Sequence, residues 1–438
     1  MRKEYLQEYP YIVRDLTNNT QNLSILKIAD KLHNSLGSKI IAIDKELCSD
    51  SKFVQAANPL FLEALNLAAS KYLLETSNTP FHISVVWAMY NETARLKTKA
   101  LNEHGEDSLR IKVAQLNWLF KGIEKSSWDI VICDDGCPET PSSTEIAQQI
   151  IDTENFGKDV EIIKLQDAID NKTFVNKYFE NIKSTSDSRK GGSILLGMSH
   201  ALKKNKAKEN HIVMFTDADL SANLGQIGKL IRPILTDNKS CTVGQRYGLN
   251  GAILVKESGA VTEPESTREK TGKLLVLFRH FVRVKLIPSL EHILDTQAGF
   301  KAFKAEDLEK VIPEITSFQE LFDIELLINI VKNKGKESVG VMPILFTEDF
   351  ALTNFPSLKP GEGHLNMIKQ IIAIYENNVA DHQPAPRDYL AFFKSLDLPK
   401  FVALIEHLNN LDIGDLSLFE RRWTLDELDS FNKMRKSA

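Results

Sequence analysis

The stretch His211-Ile-Val-Met-Phe-Thr-Asp-Ala-Asp-Leu220 decides the fold of this chain. Its apolar run predicts a buried strand that ends just before two carboxylates, Asp217 and Asp219. Alternate residues of an extended chain point in the same direction, so both carboxylates can bind one hard divalent cation. Ligands of open α/β sheets collect at the carboxyl ends of the strands. We therefore predict a metal site that holds a diphosphate; the alternative is an acidic turn without a function.

Composition indicates an ordinary globular protein. The chain has 438 residues, of which 42% are hydrophobic and 26% charged, and its formal net charge is -5. This length predicts two or three structural units. No dense basic stripe argues for a nucleic acid or an anionic membrane as the partner. The four cysteines are too few for a disulfide framework and indicate a reducing compartment, and their spacing does not predict a zinc site.

The N-terminus lacks the apolar core of a signal peptide, and no run of about 20 apolar residues predicts a membrane helix. We expect a cytoplasmic protein, with peripheral contact to a membrane as an alternative. Residues 1–78 predict an N-terminal helical accessory region, because apolar residues recur there at three- and four-residue spacing. A break at Pro80 opens a central domain, 79–378, and a proline-rich stretch begins a C-terminal helical region, 379–438.

Strands and helices alternate in the central domain. Strands are predicted near 81–90, 128–134 and 160–165, with a long helix from the first strand to Phe120 and another helix near 143–153. We expect residues 166–188 to form an insertion or a mobile loop. The alternation predicts an α/β fold with a mostly parallel sheet and right-handed crossovers.

Further elements are expected beyond the strand at 211–216. A glycine pair at 191–192 opens a helix, and its backbone N–H groups could bind phosphate; a simple helix cap is the equal alternative. The remaining expectations are a helix to about 235, a strand from 241, a flexible loop at 249–271, helices at 271–285, a strand at 295–303, an acidic-headed helix from 318, a strand at 339–349 and a helix near 365–377.

Seven short motifs occur in one order between about residues 80 and 350. They lie at 85–92, 134–136, 189–198, 217–219, 244–246, 295–301 and 322–326. Together they resemble the inverting family 2 glycosyltransferases with the GT-A fold, most closely the dolichyl-phosphate glucosyltransferase type. This resemblance implies a Rossmann-like central domain and a nucleotide-diphosphate sugar as donor, with UDP-glucose favoured. The acceptor is not indicated.

The resemblance also implies roles for individual residues. Asn91, Glu92 and one of Asp134 or Asp135 would hold the base and ribose, although the two aspartates could instead serve turn chemistry. Arg189 or Lys190 would contact the diphosphate. The remaining donor-binding residues implied by the motifs are Asp217, Arg246 and Gln297.

Catalysis would need a cation and, for a hydroxyl acceptor, a base. Mg²⁺ or Mn²⁺ on Asp217 and Asp219 would stabilise the leaving diphosphate. By resemblance, Asp323 is the expected base and Glu325 orients groups nearby; the alternative is that both only complement the helix dipole. His364 is a further candidate metal ligand, or a solvated turn residue.

Two other functions compete with glycosyl transfer. A sugar nucleotidyltransferase would also use a Rossmann-like sheet and a carboxylate-bound metal, but it would be expected to carry a glycine-rich signature directly after the first strand. The sequence there is Ala88-Met-Tyr-Asn-Glu. A binding or scaffolding module without catalysis would bind a sugar nucleotide and leave it intact.

Overall fold

A computed structural model describes residues 2–77, 79–188, 190–256, 281–348, 361–382, 384–409 and 424–427. Its strands are β1 (His82–Met89), β2 (Ser127–Asp134), β3 (Val160–Lys164), β4 (His211–Thr216), β5 (Cys241–Gln245), β6 (Ile253–Lys256), β7 (Phe300–Lys304), β8 (Val339–Pro343) and β9 (Leu345–Glu348). Seven of them form one sheet in the order β3-β2-β1-β4-β7-β5-β8, and β6 pairs with β9. Only β7 runs antiparallel to its neighbours in the large sheet. The predicted α/β fold with a mostly parallel sheet is confirmed.

Helices cover both faces of this sheet. They are α1 (Arg2–Glu8), α2 (Asn19–Leu36), α3 (Ile40–Cys48), α4 (Ser51–Ala56), α5 (Pro59–Glu75), α6 (Thr93–Leu96), α7 (Ser108–Phe120), α8 (Ser143–Glu154), α9 (Leu165–Asn171), α10 (Gly191–Lys204), α11 (Ile227–Thr236), α12 (Ala305–Val311), α13 (Phe322–Lys334), α14 (Glu362–Asn378), α15 (Arg387–Lys394) and α16 (Leu398–Asn409). Among the described helices, none combines the length and hydropathy that a membrane crossing needs.

Alternate residues of the central strands bury their side chains on opposite faces of the sheet, as the pleat requires. On β4, Ile212 and Met214 pack with α2 to α5, α7, α8 and α11. Val213 and Phe215 pack with α9, α10 and α12 to α16. The N-terminal helices are therefore one covering layer of the fold, and the described C-terminal helices belong to the other.

Three segments differ from the sequence-based expectation. Instead of one long helix after β1, the chain forms α6, then a turn bridged between Thr98 and Glu106, then α7. α6 ends because the Lys97 backbone is extended, and Asp107, the residue before α7, adopts the left-handed region, with φ 54°. Residues 166–188 are not an open loop: they contain α9 and two short 3-10 turns, and Phe179 packs edge-on against Phe318.

The predicted strand at 339–349 is divided. β8 ends at Pro343 in the large sheet, and β9 begins at Leu345 in the two-stranded one. Proline carries no N–H for a strand ladder, which favours such a break. Most of the predicted loop at 249–271 and of the helices at 271–285 lies outside the described residues; Phe281–Leu286 forms a π-helical turn.

Candidate functional site

Asp217 and Asp219 follow β4 directly, at the carboxyl end of the sheet. Every residue of β4 is buried, whereas both carboxylate-bearing residues are partly exposed. Asp219 accepts a hydrogen bond from the Ser221 N–H at 3.0 Å. Burial and the adjacent Asp217 charge raise the pKa of Asp219, since two close carboxylates resist ionising together. Such a pair is suited to a bound cation.

A cation of the chain itself lies at this pair. Burial opposes its charge, but the carboxylates of Asp217, Asp219 and Asp323 raise the pKa of the Lys190 ammonium group. Its Nζ contacts Asp217 Oδ1, and the ammonium group in turn keeps the pKa of Asp217 low against the effect of burial. The ammonium group thus supplies a positive charge in contact with one carboxylate of the pair. Hard oxygen donors are those that Mg²⁺ and Mn²⁺ prefer, so the residues present fit such an ion.

His364 is not brought to the two aspartates. It lies in the first turn of α14, where burial lowers the pKa of its imidazole. Within the described parts of the chain, no three His, Cys, Asp or Glu side chains form a group that could hold a metal. A metal here would rely on Asp217, Asp219 and oxygens from outside the protein, and the role of His364 stays a prediction.

The structure gives a reason for the glycine at position 299 of the 295–301 motif, which the sequence alone did not explain. A Cβ atom at Gly299 would lie 2.4 Å from Asp217 Oδ2. Gly299 immediately precedes β7, the antiparallel neighbour of β4, so the backbone of this turn presses directly on the carboxylate. Any larger residue would displace Asp217.

The glycine pair that opens α10 is needed for packing. A Cβ at Gly191 would lie 2.4 Å from the Gln319 carbonyl oxygen. The Gly192 N–H donates to the Phe318 carbonyl at 2.9 Å, and the Ser193 N–H donates to Ser188 Oγ at 3.2 Å. These N–H groups already have acceptors in the protein, so the geometry favours the structural alternative over backbone phosphate binding. Arg189 lies outside the described residues.

Asp135 is buried and organises the same segment. Its carboxylate accepts from Ser188 Oγ at 3.0 Å, Ser193 Oγ at 2.6 Å and the Lys190 N–H at 2.7 Å. The Lys190 backbone has φ 79°, a conformation that these bonds hold in place. Asp135 therefore positions Lys190, which leaves Asp134 as the aspartate of this motif that is open to a ligand.

Asp134 and Asn91 lie side by side at the ends of β2 and β1. Asp134 Oδ1 accepts from the N–H groups of Gly136 at 2.9 Å and Cys137 at 3.2 Å, as in an Asx turn. Asn91 adopts φ 56° and its Oδ1 accepts from Cys137 Sγ at 3.7 Å. Glu92 is buried and forms an ion pair with Arg95, 2.8 Å apart. The first two residues remain accessible to a nucleotide, whereas Glu92 is engaged inside the protein.

A buried ion network lies beneath Asp219. Arg95 pairs with Glu92 and, at 3.0 Å, with Glu106. Glu106 Oε2 accepts the N–H of Leu220 at 2.8 Å and so fixes the residue that follows Asp219. Sequence reasoning missed Arg95 and Glu106, because the segment between them read as part of a continuous helix.

Arg246 joins the end of β5 to the turn before β7. It forms a bidentate pair with Asp295, with Nε to Oδ2 at 2.7 Å and Nη2 to Oδ1 at 2.9 Å. Its guanidinium group also lies 5.2 Å from the centre of the Phe346 ring. Although burial disfavours its charge, Asp295 raises the pKa of Arg246. Gln297, in the same turn, is partly exposed.

Asp323 is buried near the start of α13. Its Oδ2 accepts from Lys301 Nζ at 2.6 Å, and its Oδ1 has no hydrogen-bond partner among the described residues. Burial raises the pKa of Asp323, and Lys301 opposes that rise. One carboxylate oxygen is thus held by a lysine, while the other is buried and accepts no hydrogen bond from the described residues.

Glu325 is fully buried and its carboxylate is saturated. It accepts from the N–H groups of Thr316 at 3.0 Å and Ser317 at 2.8 Å, and from Asn378 Nδ2 at 2.9 Å. Glu325 thus ties α13, α14 and the 316–317 segment together, and its role in catalysis stays a prediction.

A cavity of about 940 Å³ lies between α13, α14 and the 178–187 segment. Its wall is rich in amide side chains, including Asn181, Asn329, Asn333 and Asn377. It does not include Asp217, Asp219 or Asp323. The cavity alone defines no reaction.

The mostly parallel sheet flanked by helices has the arrangement expected for a GT-A fold. No protein-family profile matches the chain. The chain is 25% identical over 252 residues to the dolichyl-phosphate beta-glucosyltransferase of Saccharomyces cerevisiae, a match that covers 58% of this chain and 63% of the yeast protein. The chain thus spans less than two thirds of that relative. This similarity confirms the predicted resemblance to family 2 glycosyltransferases.

Solved structures give more distant matches. Glucosyl-3-phosphoglycerate synthase from Mycobacterium tuberculosis, in complex with Mn²⁺ and UDP-glucose, has a TM-score of 0.40 and 16% identity, over 70% of this chain and 83% of that one. Mannosyl-3-phosphoglycerate synthase from Rubrobacter xylanophilus has a TM-score of 0.38 and 9% identity, over 70% and 75% of the two chains.

Proposed function

We propose that the protein is a metal-dependent inverting glycosyltransferase that moves a hexosyl group, with glucose favoured, from a UDP-sugar to an acceptor not yet identified. The observation that carries this proposal is the pair of partly exposed carboxylates, Asp217 and Asp219, at the end of β4, with the Lys190 ammonium group in contact with Asp217. A cation at this position is what the leaving diphosphate of a donor would need. The yeast relative is named for glucosyl transfer, which supports the choice of sugar.

On the donor side, the roles follow from which groups are accessible. Asp134 and Asn91, at the ends of β2 and β1, hold the nucleoside. Lys190 turns from Asp217 towards the diphosphate when the donor enters, because the negative charges of the phosphates compete for its ammonium group. Asp217 and Asp219 would hold a Mg²⁺ or Mn²⁺ ion, which when bound supplies electrostatic stabilisation of the leaving group.

On the acceptor side, Asp323 takes the proton of an acceptor hydroxyl on Oδ1. Lys301 holds the other oxygen and keeps the carboxylate oriented. Its pKa, raised by burial, makes it a better base than an ordinary aspartate. A phosphate acceptor would need no such proton transfer, so loss of activity in Asp323→Asn indicates a hydroxyl acceptor. The double variant Asp323→Asn, Lys301→Met removes the whole buried pair and controls for a stranded lysine.

A sugar-nucleotide-binding module without catalysis is the second candidate. It is favoured by the burial of Asp323, which is only 4% exposed and paired with Lys301. Such a module would bind UDP-glucose and return it unchanged.

The test is a thermal-shift screen of nucleotide sugars with Mn²⁺ present, followed by product analysis. A donor that binds only the native state raises the melting temperature by mass action. We expect a shift with UDP-glucose that EDTA abolishes and Mn²⁺ restores, together with slow release of UDP. No shift with any nucleotide sugar refutes the proposal; a shift without any turnover, in the presence of cell-extract acceptors, favours the binding module.

A further inference from the structure

Three buried charged side chains connect two loops at the carboxyl edge of the sheet. Arg95 Nη1 lies 2.8 Å from Glu92 Oε2, and Arg95 Nε lies 3.0 Å from Glu106 Oε1. The second oxygen of Glu106, Oε2, accepts the Leu220 N–H at 2.8 Å. Glu92, Arg95 and Glu106 are all less than one tenth exposed. We call these three residues the Arg95 bridge.

The two ends of the Arg95 bridge lie next to the two halves of the proposed donor site. Glu92 directly follows Asn91, which we assign to the nucleoside. Leu220 directly follows Asp219, which we assign to the metal ion. The bridge therefore links the loop after β1, which binds the nucleoside, to the loop after β4, which binds the metal ion.

These two loops flank the point where the strand order of the sheet reverses. β1, β2 and β3 follow one another in one direction across the sheet, whereas β4 lies on the other side of β1. Ligands of open α/β sheets bind outside the carboxyl ends of the strands at such a point. The pairing of β1 with β4 ends at Val86 and Phe215, while β1 continues beside β2 to Met89. The Arg95 bridge thus connects the two chains beyond the end of their backbone pairing.

The residue types of the bridge suit this connection. Both oxygens of Glu106 face donors, so a glutamine there would turn its amide NH₂ group towards one of them. Arg95 presents separate N–H groups to two carboxylates from one planar group. A lysine has a single nitrogen and cannot reproduce that geometry.

Stability alone gives little reason for the bridge. Removing charges from water is costly, and apolar residues of similar volume often stabilise a protein as well as a buried ion triad does. The donor supplies a reason, because a nucleoside diphosphate with its metal ion must be held at both loops at once. The affinity of such a two-point contact depends on a fixed distance between its two halves.

We infer that the Arg95 bridge fixes the separation between the nucleoside-binding loop and the metal-binding loop, so that one donor molecule is held at both ends. The inference rests on the proposed function and adds to it the residue that sets the span of the donor site. Arg95 is a positioning residue, since it acts through Glu92 and Glu106.

The experiment compares two ligands in the Arg95→Lys variant. Uridine reaches only the nucleoside-binding loop, whereas UDP with Mn²⁺ reaches both loops. Affinity for UDP with Mn²⁺ should fall on the order of tenfold, because the second contact loses effective concentration when the loop separation is no longer fixed. Affinity for uridine should stay unchanged. Titration calorimetry measures the first affinity and ligand-observed NMR the second.

Arg110→Lys is the matched control. Arg110 also lies between two carboxylates, with Asp107 at 2.8 Å and Glu154 at 2.6 Å, but it joins α7 to α8 and its side chain is 32% exposed. This variant should leave both affinities unchanged. Glu106→Gln breaks the Arg95 bridge at its other side and should reproduce the selective loss of affinity for UDP with Mn²⁺.

The outcomes separate the inference from the proposed function. If Arg95→Lys and Glu106→Gln bind UDP with Mn²⁺ as tightly as the wild type, the inference is overturned while the donor site stands. If the affinity for uridine falls by the same factor, or if neither variant folds, the bridge is a requirement of the fold and the inference also fails. If the wild type does not bind UDP with Mn²⁺, the proposed donor site is refuted and the inference with it.

Discussion

Asp217 is closely approached on two sides. The Lys190 ammonium group contacts it on one side, and the backbone of Gly299 approaches it on another. Its neighbour Asp219 resists ionisation because of the Asp217 charge. A carboxylate held this tightly is preorganised, which is how a protein avoids reorganisation cost when a charged ligand binds.

Asp217→Ala should abolish transfer, by on the order of 10³-fold or more, because it removes one of the two proposed cation ligands at the leaving group. The fold should persist, since the Lys190 side chain is 44% exposed and water can solvate it. Turnover of UDP-glucose and circular dichroism check both expectations. Asp397→Ala, at an exposed aspartate near Lys400, is the control. Wild-type turnover in Asp217→Ala would remove the residue from the mechanism.

Gly299→Ala should lower turnover by roughly tenfold to a hundredfold, the usual consequence of a displacement near 1 Å in a catalytic group. The added methyl group would start 2.4 Å from Asp217 Oδ2. Gly157→Ala is the matched control, because the nearest atom to a Cβ there is 3.9 Å away. Equal turnover of the two variants would show that the close approach has no functional weight.

At the scale of elements, α13 carries two carboxylates with different tasks. Asp323 and Glu325 are two residues apart, so their side chains leave a helix on nearly opposite sides. One faces Lys301 and the centre of the site; the other faces Thr316 and α14. The spacing alone could have separated their roles.

Glu325→Gln should destabilise the protein by roughly 2–4 kcal/mol, because an amide nitrogen would face backbone N–H groups and leave buried donors without acceptors. Urea unfolding measures this. Glu314→Gln, at a partly exposed carboxylate that pairs with Lys177, should be neutral. A Glu325→Gln protein of normal stability but without turnover would instead make Glu325 a catalytic residue.

Sequence patterns predicted the elements that depend on local rules. The apolar run of β4 and the acidic pair after it were sufficient to place Asp217 and Asp219 at the sheet edge. The pairing of Arg95 with Glu106 was not predictable, because it depends on the turn between α6 and α7, which also brings Glu106 to the Leu220 N–H. Long-range contacts of this kind leave no periodic signal in one sequence.

At the scale of the whole molecule, a buried polar cluster lies near the amino-terminal ends of the strands, opposite the site. His211 Nε2 lies 3.0 Å from Ser84 Oγ, and the rings of His82 and His211 are 5.4 Å apart. Asp129 accepts from Asn205 Nδ2 at 3.0 Å and pairs with His82 at 3.2 Å. The cluster joins β1, β2, β4 and α10 near the amino-terminal ends of the strands, away from the candidate site.

This cluster should make stability depend on pH. Burial, together with the His82 charge, lowers the pKa of His211 to about 4. Between the unfolded-state pKa of a histidine, near 6.5, and this native-state pKa, the unfolded chain binds a proton that the native protein does not. The free energy of unfolding therefore falls as pH decreases, by up to about 3 kcal/mol. The charges of Asp129 and Lys208 also act on the His211 ring. The lowered pKa of Asp129 decreases stability further only at pH values below the ordinary pKa of an aspartate.

Urea unfolding at pH 7.5, 6 and 5 measures this effect, and His211→Gln, which cannot titrate, should show a flatter dependence in the same window. An identical slope in both proteins would assign the pH dependence to other groups.

Deleting residues 1–78 should yield an insoluble protein. The helices of this region cover one face of the sheet with buried side chains, among them Phe61, Leu65 and Leu67. Exposing that face would create an apolar patch larger than soluble monomers tolerate. Sedimentation of the expressed fragment checks the expectation; a soluble, cooperatively unfolding 79–438 fragment would show that the sheet needs only one covering layer.

The two-stranded sheet of β6 and β9 has a consequence for how the protein can vary. The strands are parallel, and their last residues, Lys256 and Glu348, are partners in register. Their backbones therefore lie a single strand spacing of about 4.8 Å apart, although 92 positions separate them in the printed sequence. A substitution that moves one of these two strand ends should accordingly require a matching change in the other, so that the two positions vary as a single unit.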